Sequence, residues 1–279
     1  MKQLPHISGL LYGTPWAILP ASHTELGMLY RSYLAGNLPV PQNLEGQGRL
    51  SSGVSYQSLQ SAGVAIIHLE GIISKRTPDM LCGPQIADLA KLDALLDEVS
   101  ADTLIDTLVL DINSPGGVVI GLQESSERLR ELSAGGVRLV AYTDYLMASA
   151  GYYLAAACDE IYCAPSSRIG SIGTYCAGID DSRAWEMDGL ELVLGKSGTF
   201  KAMGHPGKAW TEEEKTFMQE SAEKEGSDFR DWVKSRRPGV EESAMQGQCF
   251  KAIDAPAALH DGFYRDLPAL LAHLIQAPI

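Results

Sequence analysis

A single hydroxyl group, that of Ser149, interrupts a run of small residues in YTDYLMASAGYYLAAACD, residues 142–159. Its neighbours Ala148, Ala150 and Gly151 are small enough for a substrate backbone to approach closely. The pattern predicts a strand and turn before Ser149 and a helix after it, which places the hydroxyl near the positive end of that helix. A serine there is either a nucleophile or the cap of the helix N-terminus, and this stretch taken alone favours the cap.

A second stretch, LDINSPGGVV (residues 110–119), could supply the other half of an acyl-transfer site. Gly116 and Gly117 follow a predicted strand, and adjacent glycines can turn their N–H groups toward a bound carbonyl oxygen. One such N–H, together with that of Ala150, would form an oxyanion hole. The same Pro-Gly-Gly sequence also forms ordinary tight turns, so both interpretations remain open.

A serine hydroxyl becomes a good nucleophile only when a base takes its proton. None of the histidines lies in a sequence context that identifies it as the base; they are His6, His23, His68, His205, His260 and His273. The segment LGKSGTFKAMGHPGK offers Lys196, Lys201 and Lys208. A lysine acts as a base where desolvation lowers its pKa, and each of the three could equally be a solvated surface lysine.

The segments that must position these residues alternate between strand and helix patterns from residue 64 onward, which predicts an α/β fold around a mostly parallel sheet. The predicted strands are residues 64–73, 107–112, 137–143, 160–164 and 190–194. The predicted helices are residues 84–102, 121–132, 150–159, 180–190, 211–237 and 266–278. Thr211 and Glu214 form a capping-box pattern at the start of the long charged helix.

Composition excludes several classes of function. The 279 residues carry 35 acidic and 22 basic side chains, a formal charge of −13, which argues against a protein that binds nucleic acid through phosphate contacts. Five cysteines, an odd number without metal-type pairs, indicate a reducing compartment. We expect neither a metal site nor a cofactor. No apolar run is long enough to span a bilayer, so we expect neither a signal peptide nor a membrane anchor.

Three stretches together resemble the signal peptide peptidase A family of serine proteases, peptidase family S49. They are NSPGG, ASAGYYLAAACDEIYCAPSSRIGSIGT and KSGTFKAMG, in this order and spacing. The resemblance covers roughly residues 62–265. It implies the Clp-protease/crotonase-like fold with repeated β-β-α units, in a protease domain over residues 61–279 that follows an N-terminal extension over residues 1–60.

The resemblance also implies roles for particular residues. The family's nucleophile falls on Ser149, its general base on Lys201, and the serine that orients the lysine on Ser171. The oxyanion donors fall on the backbone of Ala150 and of Gly116 or Gly117. One departure is that Ala150 stands where the family usually has glycine; because alanine still supplies an N–H, we expect activity to survive.

The opening segment GTPWAILPASHTELGMLYRSYLAG is similar to the N-terminal extension of the phage and prophage head proteases of the lambda type. This branch implies a capsid-assembly protease that cleaves scaffold or portal-associated proteins, acts as a homo-oligomeric ring or dome, and works in the host cytoplasm or the procapsid interior. In related proteins the lysine can come from a neighbouring subunit. The alternatives are a soluble signal peptide peptidase-like enzyme that degrades peptides, a crotonase-type acyl-CoA enzyme, and a non-catalytic capsid component.

Overall fold

The computed structural model describes residues 11–12, 14–36, 53–75 and 85–276. The strands are β1 (Trp16–Ile18), β2 (Val54–Leu59), β3 (Val64–Glu70), β4 (Ile72–Ser74), β5 (Ile86–Asp88), β6 (Thr107–Asn113), β7 (Gly116–Val118), β8 (Arg138–Thr143), β9 (Leu146–Ala148), β10 (Glu160–Cys163), β11 (Arg168–Gly170), β12 (Cys249–Lys251) and β13 (Gly262–Phe263). The α-helices are α1 (Pro20–Leu34), α2 (Leu89–Ala101), α3 (Leu122–Ala134), α4 (Ala150–Ala155), α5 (Ser182–Met187), α6 (Glu212–Arg236) and α7 (Leu267–Gln276).

A six-stranded sheet in the order β13-β10-β8-β6-β3-β2 forms the centre of the fold. Strands β3, β6, β8, β10 and β13 run parallel, and β2 joins the edge antiparallel to β3. The central strands are apolar on both faces because helices and loops cover both sides, as parallel sheets require. Leu108, Leu110 and Ile67 are among the fully buried side chains of this sheet.

The chain repeats one unit of structure along this sheet. A long strand of the central sheet is followed by a short strand of a smaller sheet and then by a helix, as in β6-β7-α3 and β8-β9-α4. The first unit, β3-β4-α2, carries β5 as an additional strand before its helix. These are the repeated β-β-α units of the Clp-protease/crotonase-like fold, so the predicted fold class is confirmed.

The short strands place the glycine pair, Ser149 and Ser171 at one end of the central sheet. Strand β7 contains the glycine pair and lies between β1 and β4. Strand β9 leads into Ser149 and pairs in parallel with β11, which leads into Ser171. The two serines thus follow short strands and the glycine pair lies within one, and the small sheets fix the separation between these segments.

Several predicted elements differ from the structure. Residues 190–194 do not form a strand: Val193 is 90% exposed and no ladder partner lies beside the segment in the described part of the chain. Ile86 belongs to β5, and α2 begins at Leu89 with Asp88 capping its Ala90 N–H. The helix predicted from residue 150 ends at Ala155, and the one predicted from residue 180 is the shorter α5.

Two strands come from the segment that was predicted to be an N-terminal extension. β1 pairs with β7, and β2 pairs with β3 along its whole length. The division at residue 60 stays a prediction, while the sheets themselves include residues on both sides of it. His6 and Cys82 lie outside the described residues. None of the described helices combines the length and the apolar character that crossing a membrane requires.

Candidate active site

Ser149 occupies a strained turn between β9 and α4. Its backbone has φ 55° and ψ −117°, and of the described non-glycine residues Ser149 and Ser171 alone have positive φ. Such a conformation costs on the order of 1–3 kcal/mol and persists only where the surrounding structure enforces it. Here the Ser149 N–H donates to the Gly170 carbonyl at 2.8 Å, and the Ser149 carbonyl accepts from the Tyr153 N–H at 2.9 Å. The turn is therefore held from both sides.

The hydroxyl of Ser149 does not cap the helix that follows it. It stands at the N-cap position of α4 but makes no side-chain cap hydrogen bond. The residue is 1% exposed, and its buried Oγ has no hydrogen-bonding partner among the residues that the structure describes. Leaving a buried hydroxyl unpaired costs about 1–3 kcal/mol, so the structure maintains both a strained backbone and an unpaired polar group at one residue. Strain and unsatisfied polar groups together are typical of functional sites.

Ser171 repeats the conformation of Ser149 on the neighbouring strand. It has φ 53°, it is 6% exposed, and its N–H donates to the Gln248 carbonyl at 2.7 Å. The residues before the two serines, Ala148 and Gly170, are register partners of the parallel strands β9 and β11. The fold thus brings the predicted nucleophile and the predicted orienting serine to adjacent positions at the end of one small sheet.

The glycine pair lies directly beside Ser149. A Cβ placed on Gly116, which has φ 102°, would stand 2.8 Å from the Ser149 Cβ. The Gly116 N–H donates to Ser114 Oγ at 3.1 Å, and that hydroxyl donates to the Gly71 carbonyl at 2.7 Å. Of the two predicted oxyanion donors in this turn, the Gly116 N–H is held within the turn by Ser114, whereas Gly117 faces β1, so Gly117 is the remaining candidate.

Ala150 begins α4, and its N–H is one of the helix N-terminal groups that have no intrahelical acceptor. The residue is fully buried and directly follows the Ser149 turn. A Cβ on Gly151 would contact Ser114 Cβ at 3.3 Å, so the first turn of α4 packs tightly against the Ser114–Gly116 turn. Small residues at positions 150 and 151 allow this close approach.

Within the described part of one chain, Lys201 makes no hydrogen bond to Ser149 Oγ. It lies on an exposed turn, where its N–H donates to the Gly198 carbonyl at 3.2 Å, and the unpartnered state of Ser149 Oγ excludes a hydrogen bond from the Lys201 amine. The surrounding segment exposes large apolar side chains. They are Met187 (88%), Leu190 (53%), Val193 (90%), Leu194 (39%) and Phe200 (39%).

The other candidate bases have different partners. Lys208 Nζ donates to Glu214 Oε2 at 2.5 Å, and Lys196 Nζ donates to the Thr199 carbonyl at 2.8 Å. His68 Nδ1 lies 2.7 Å from Asp111 Oδ2 in the central sheet, between β3 and β6, and His23 Nε2 lies 2.8 Å from the Leu11 carbonyl. None of these groups hydrogen-bonds to Ser149 Oγ, which has no partner.

The sequence did not predict the short strands of this site, which include β7, β9 and β11 and, least expected, β1. Its Trp16, Ala17 and Ile18 pair antiparallel with Val118, Gly117 and Gly116. A signal was present, since Trp16–Ile18 is an apolar triplet within PWAILP, but three residues are too few to predict a strand or its partner.

Several known proteases are similar to this chain in sequence. Capsid assembly protease C of Escherichia phage lambda is 25% identical over 74% of this chain and 50% of its own length. An Enterococcus faecium protein named for the SppA signal peptide peptidases is 33% identical over 72% of this chain and 55% of its own length. The chain spans about half the length of the curated relatives it matches.

A solved enoyl-CoA hydratase/isomerase from Marinobacter aquaeolei covers 80% of this chain, and the chain covers 75% of it, with 12% identity and a TM-score of 0.48. The fold assignment rests on the strand order described above. The model of Peptidase family S49 matches residues 131–259, a range that contains Ser149, Ser171 and Lys201. Residues 131–259 thus match peptidase family S49, the family that the sequence motifs resemble.

Proposed function

We propose that this protein is a serine endopeptidase in which Ser149 is the nucleophile and Lys201 the general base. The observation that carries the proposal is the state of Ser149: a buried, unpaired hydroxyl on a strained turn, beside two glycines and at the start of a helix. A serine kept only for structure would cap α4 or pair with a neighbour. This hydroxyl does neither, so it is available to attack a carbonyl carbon.

The backbone around Ser149 supplies the electrostatic part of the reaction. As Ser149 Oγ bonds to the carbonyl carbon of a peptide, negative charge develops on the carbonyl oxygen. The N–H groups of Gly117 and Ala150 would stabilise that charge, because both belong to the segments that adjoin Ser149. Loss of one such donor reduces the rate by about 10² to 10³ in enzymes of this kind.

The proton of Ser149 would pass to an uncharged Lys201 amine and then to the leaving amine of the substrate. Water activated by the same lysine would release the acyl group. Ser171 would orient the amine, since its position beside Ser149 places a hydroxyl at the same end of the small sheet.

We infer that Lys201 reaches the site from a second copy of the chain. A base of this kind must be desolvated, because a solvated lysine stays protonated at neutral pH. Lys201 is exposed in the single chain, and it lies within the segment that exposes Val193, Leu194 and Phe200. An apolar partner surface over this segment would bury those side chains and the lysine together.

The similarity to a phage capsid assembly protease favours a role in head maturation, with scaffold or portal-associated proteins as substrates. The similarity to a protein named for the SppA signal peptide peptidases favours a second candidate, a peptidase that degrades peptides without a capsid role. Incubation with the scaffold and portal proteins of the same phage or prophage genome distinguishes them. The first candidate predicts cleavage at defined positions, and the second predicts digestion of unstructured peptides only.

The assignment of residues is tested with four proteins on one unfolded protein substrate: wild type, Ser149→Ala, Lys201→Ala and Lys196→Ala. We expect Ser149→Ala and Lys201→Ala each to lower the rate by about 10² to 10⁴. Lys196 serves as the matched control, because it lies on the same exposed loop and bonds only to Thr199, so its variant keeps wild-type activity. A Lys201→Ala protein with wild-type activity would exclude Lys201 as the base.

A further inference from the structure

Strand β1 lies in a slot between the edge of strand β7 and the backbone at Tyr175, which forms an isolated bridge with it. On one side it pairs with β7, and on the other Trp16 exchanges two backbone hydrogen bonds with Tyr175, at 2.9 and 3.1 Å. An extended segment held between two backbone segments in this manner is bound as a peptide is bound by strand addition. The slot opens onto a cavity of about 350 Å³ whose lining includes Ile18, Pro20, Ser171 and Tyr175.

One peptide bond of β1 lies against the candidate nucleophile. A Cβ placed on Gly116 would stand 2.1 Å from the Ala17 carbonyl oxygen, 2.8 Å from Ser149 Cβ and 2.9 Å from Ile18 Cα. The Ala17 oxygen and Ser149 Cβ are therefore within about 5 Å of each other. This places the bond between Ala17 and Ile18 at the entrance to Ser149.

The ladder also directs the Ala17 carbonyl toward the proposed oxyanion donor. The Leu19 N–H donates to the Pro115 carbonyl at 2.9 Å, and Ala17 is the register partner of Gly117. Because hydrogen-bonded pairs alternate along an antiparallel ladder, Ala17 and Gly117 form such a pair, with the Gly117 N–H pointing to the Ala17 oxygen. A substrate carbonyl ready for attack would need the same N–H.

The slot holds one strand at a time. Trp16, Ala17 and Ile18 are 5%, 1% and 2% exposed, and Ser149 beneath them is 1% exposed. While β1 is in place, no second peptide can pair with β7 on that side or reach the Ser149 hydroxyl. A nucleophile that is to act on another chain must first be uncovered.

We propose that β1 occupies the peptide-binding groove of this site and must leave it before a substrate binds. The inference rests on the proposed function and deepens it, because β1 also outlines the substrate. The groove takes an extended apolar segment, antiparallel to Gly116–Val118, with a small residue at the position of Ala17 and larger apolar residues on either side. The substrate bond that follows the small residue is the one cleaved.

Release of β1 leaves the main core intact. Trp16 and Ile18 pack with Leu11 and Ile72 in a small cluster that is separate from the main hydrophobic core, and Ala17 contributes only a methyl group to that core. The strand is three residues long, and it belongs to the N-terminal segment that continues into α1. Its departure would therefore cost the contacts of that segment and few others.

Packing against the main core explains why the residue at position 17 is small. Side chains alternate along a strand, so Ala17 points away from Trp16 and Ile18 and toward the main core, where it is 1% exposed. A longer side chain there would meet packed atoms, whereas the side on which Trp16 and Ile18 lie accepts large groups. We expect peptides with alanine at this position to be cleaved at least about tenfold faster than those with leucine.

Accessibility of position 149 tests the proposal without relying on catalysis. A Ser149→Cys protein is treated with iodoacetamide, and alkylation of the introduced thiol is followed by peptide mass spectrometry, with and without the further changes Trp16→Ala and Ile18→Ala. We expect these changes to raise the alkylation rate by about tenfold or more, because they remove the two large side chains that hold β1. Met28→Ala, an exposed change on α1, serves as the control and leaves the rate unchanged.

Cys158 and Cys163 report on general unfolding in the same sample, since both are buried in the main core. If their alkylation rises with that of the introduced thiol, the milder Ile18→Ala single variant replaces the double change and is expected to expose position 149 selectively. Equal alkylation rates at position 149 with and without the β1 changes, in proteins whose Cys158 and Cys163 stay protected, would overturn the proposal.

Failure of the groove assignment and failure of the peptidase assignment give different results. Selective exposure of the introduced thiol without peptide hydrolysis by the corresponding Ser149 protein would leave the groove assignment standing and remove the peptidase. Hydrolysis at the same rate with and without the β1 changes, together with unchanged alkylation at position 149, would exclude the groove assignment and leave the peptidase assignment standing.

Discussion

Replacing Gly116 by alanine places a methyl group where other atoms already lie. The new Cβ would stand 2.1 Å from the Ala17 carbonyl oxygen and 2.9 Å from Ile18 Cα, both backbone atoms of β1. The backbone must also hold a side chain at φ 102°. Gly136 provides a matched control, because its φ is 103° and a Cβ there meets nothing within 4 Å. The two substitutions share the backbone strain and differ in the overlap.

The difference between the two variants can be estimated from burial. The strain of alanine at positive φ costs about 1 kcal/mol, which is the whole effect expected of Gly136→Ala. In Gly116→Ala the overlap displaces β1, and Trp16 and Ile18, now 5% and 2% exposed, return to water. Since burying each such side chain contributes about 1.5–3 kcal/mol, and the strain adds about 1 kcal/mol, we expect Gly116→Ala to lower the free energy of unfolding by about 4–7 kcal/mol.

Urea unfolding followed by circular dichroism measures both variants under one condition. The expected outcome is a midpoint well below wild type for Gly116→Ala and a small shift for Gly136→Ala. Equal losses of stability in the two variants would show that β1 does not lie against Gly116, and would refute the placement of β1 over Ser149.

Three further predictions concern stability alone. Ser149→Ala should raise the free energy of unfolding by about 1 kcal/mol, because it removes a buried hydroxyl without a partner; a loss of stability in chemical denaturation would contradict this. The hydrogen bond to Asp111 raises the pKa of His68, although burial lowers it. The ion pair of protonated His68 with Asp111 therefore stabilises the fold fully below the ordinary pKa of 6.5, and this contribution is lost as the pH rises through the raised pKa. His68→Asn should therefore cost up to about 1 kcal/mol near about pH 5.5 and less near about pH 9, and a cost independent of pH in urea titrations would count against the pair. Thr211→Ala, which removes the capping box of α6, should lower the free energy of unfolding by about 1 kcal/mol in thermal unfolding. Thr216→Ala, on the exposed face of the same helix, should lower it by only about a few tenths of a kcal/mol, and equal losses would show that the capping box does not stabilise the helix.

The sequence predicted most of the longer strands and helices that support the site, because their signals are local, but not the short strands β7, β9 and β11 that lead into or contain its residues. Apolar runs such as residues 64–70 and 107–112 correspond to β3 and β6, and Leu89, Leu92, Leu95, Leu96 and Val99 all face the core from α2. The capping box of Thr211 and Glu214 is present with both of its hydrogen bonds. Periodicity and capping depend on neighbours in the chain, so one sequence suffices to identify them.

The parts that the sequence did not predict depend on contacts between distant segments. Nothing local to Trp16–Ile18 indicates that it pairs with Gly116–Val118, about 100 residues away. The glycine pair was identified, but the engagement of the Gly116 N–H by Ser114 Oγ appears only in the folded turn. Residues 190–194 have a strand pattern, yet they lie exposed and pair with no strand in the described part of the chain. An apolar pattern shows that a segment could pair in a sheet, but not that a partner strand is present.

The central claim, that Ser149 and Lys201 form one site across two copies of the chain, is tested most directly by mixing two inactive variants. Ser149→Ala and Lys201→Ala proteins are assayed for cleavage of an unfolded substrate separately, and then after joint unfolding and refolding. We expect negligible activity from each alone and recovery to about one quarter of wild type in the equimolar mixture, because one in four random pairings joins an intact serine to an intact lysine. A mixture as inactive as its components would contradict the shared site, and cleavage by Ser149→Ala alone would contradict the nucleophile itself.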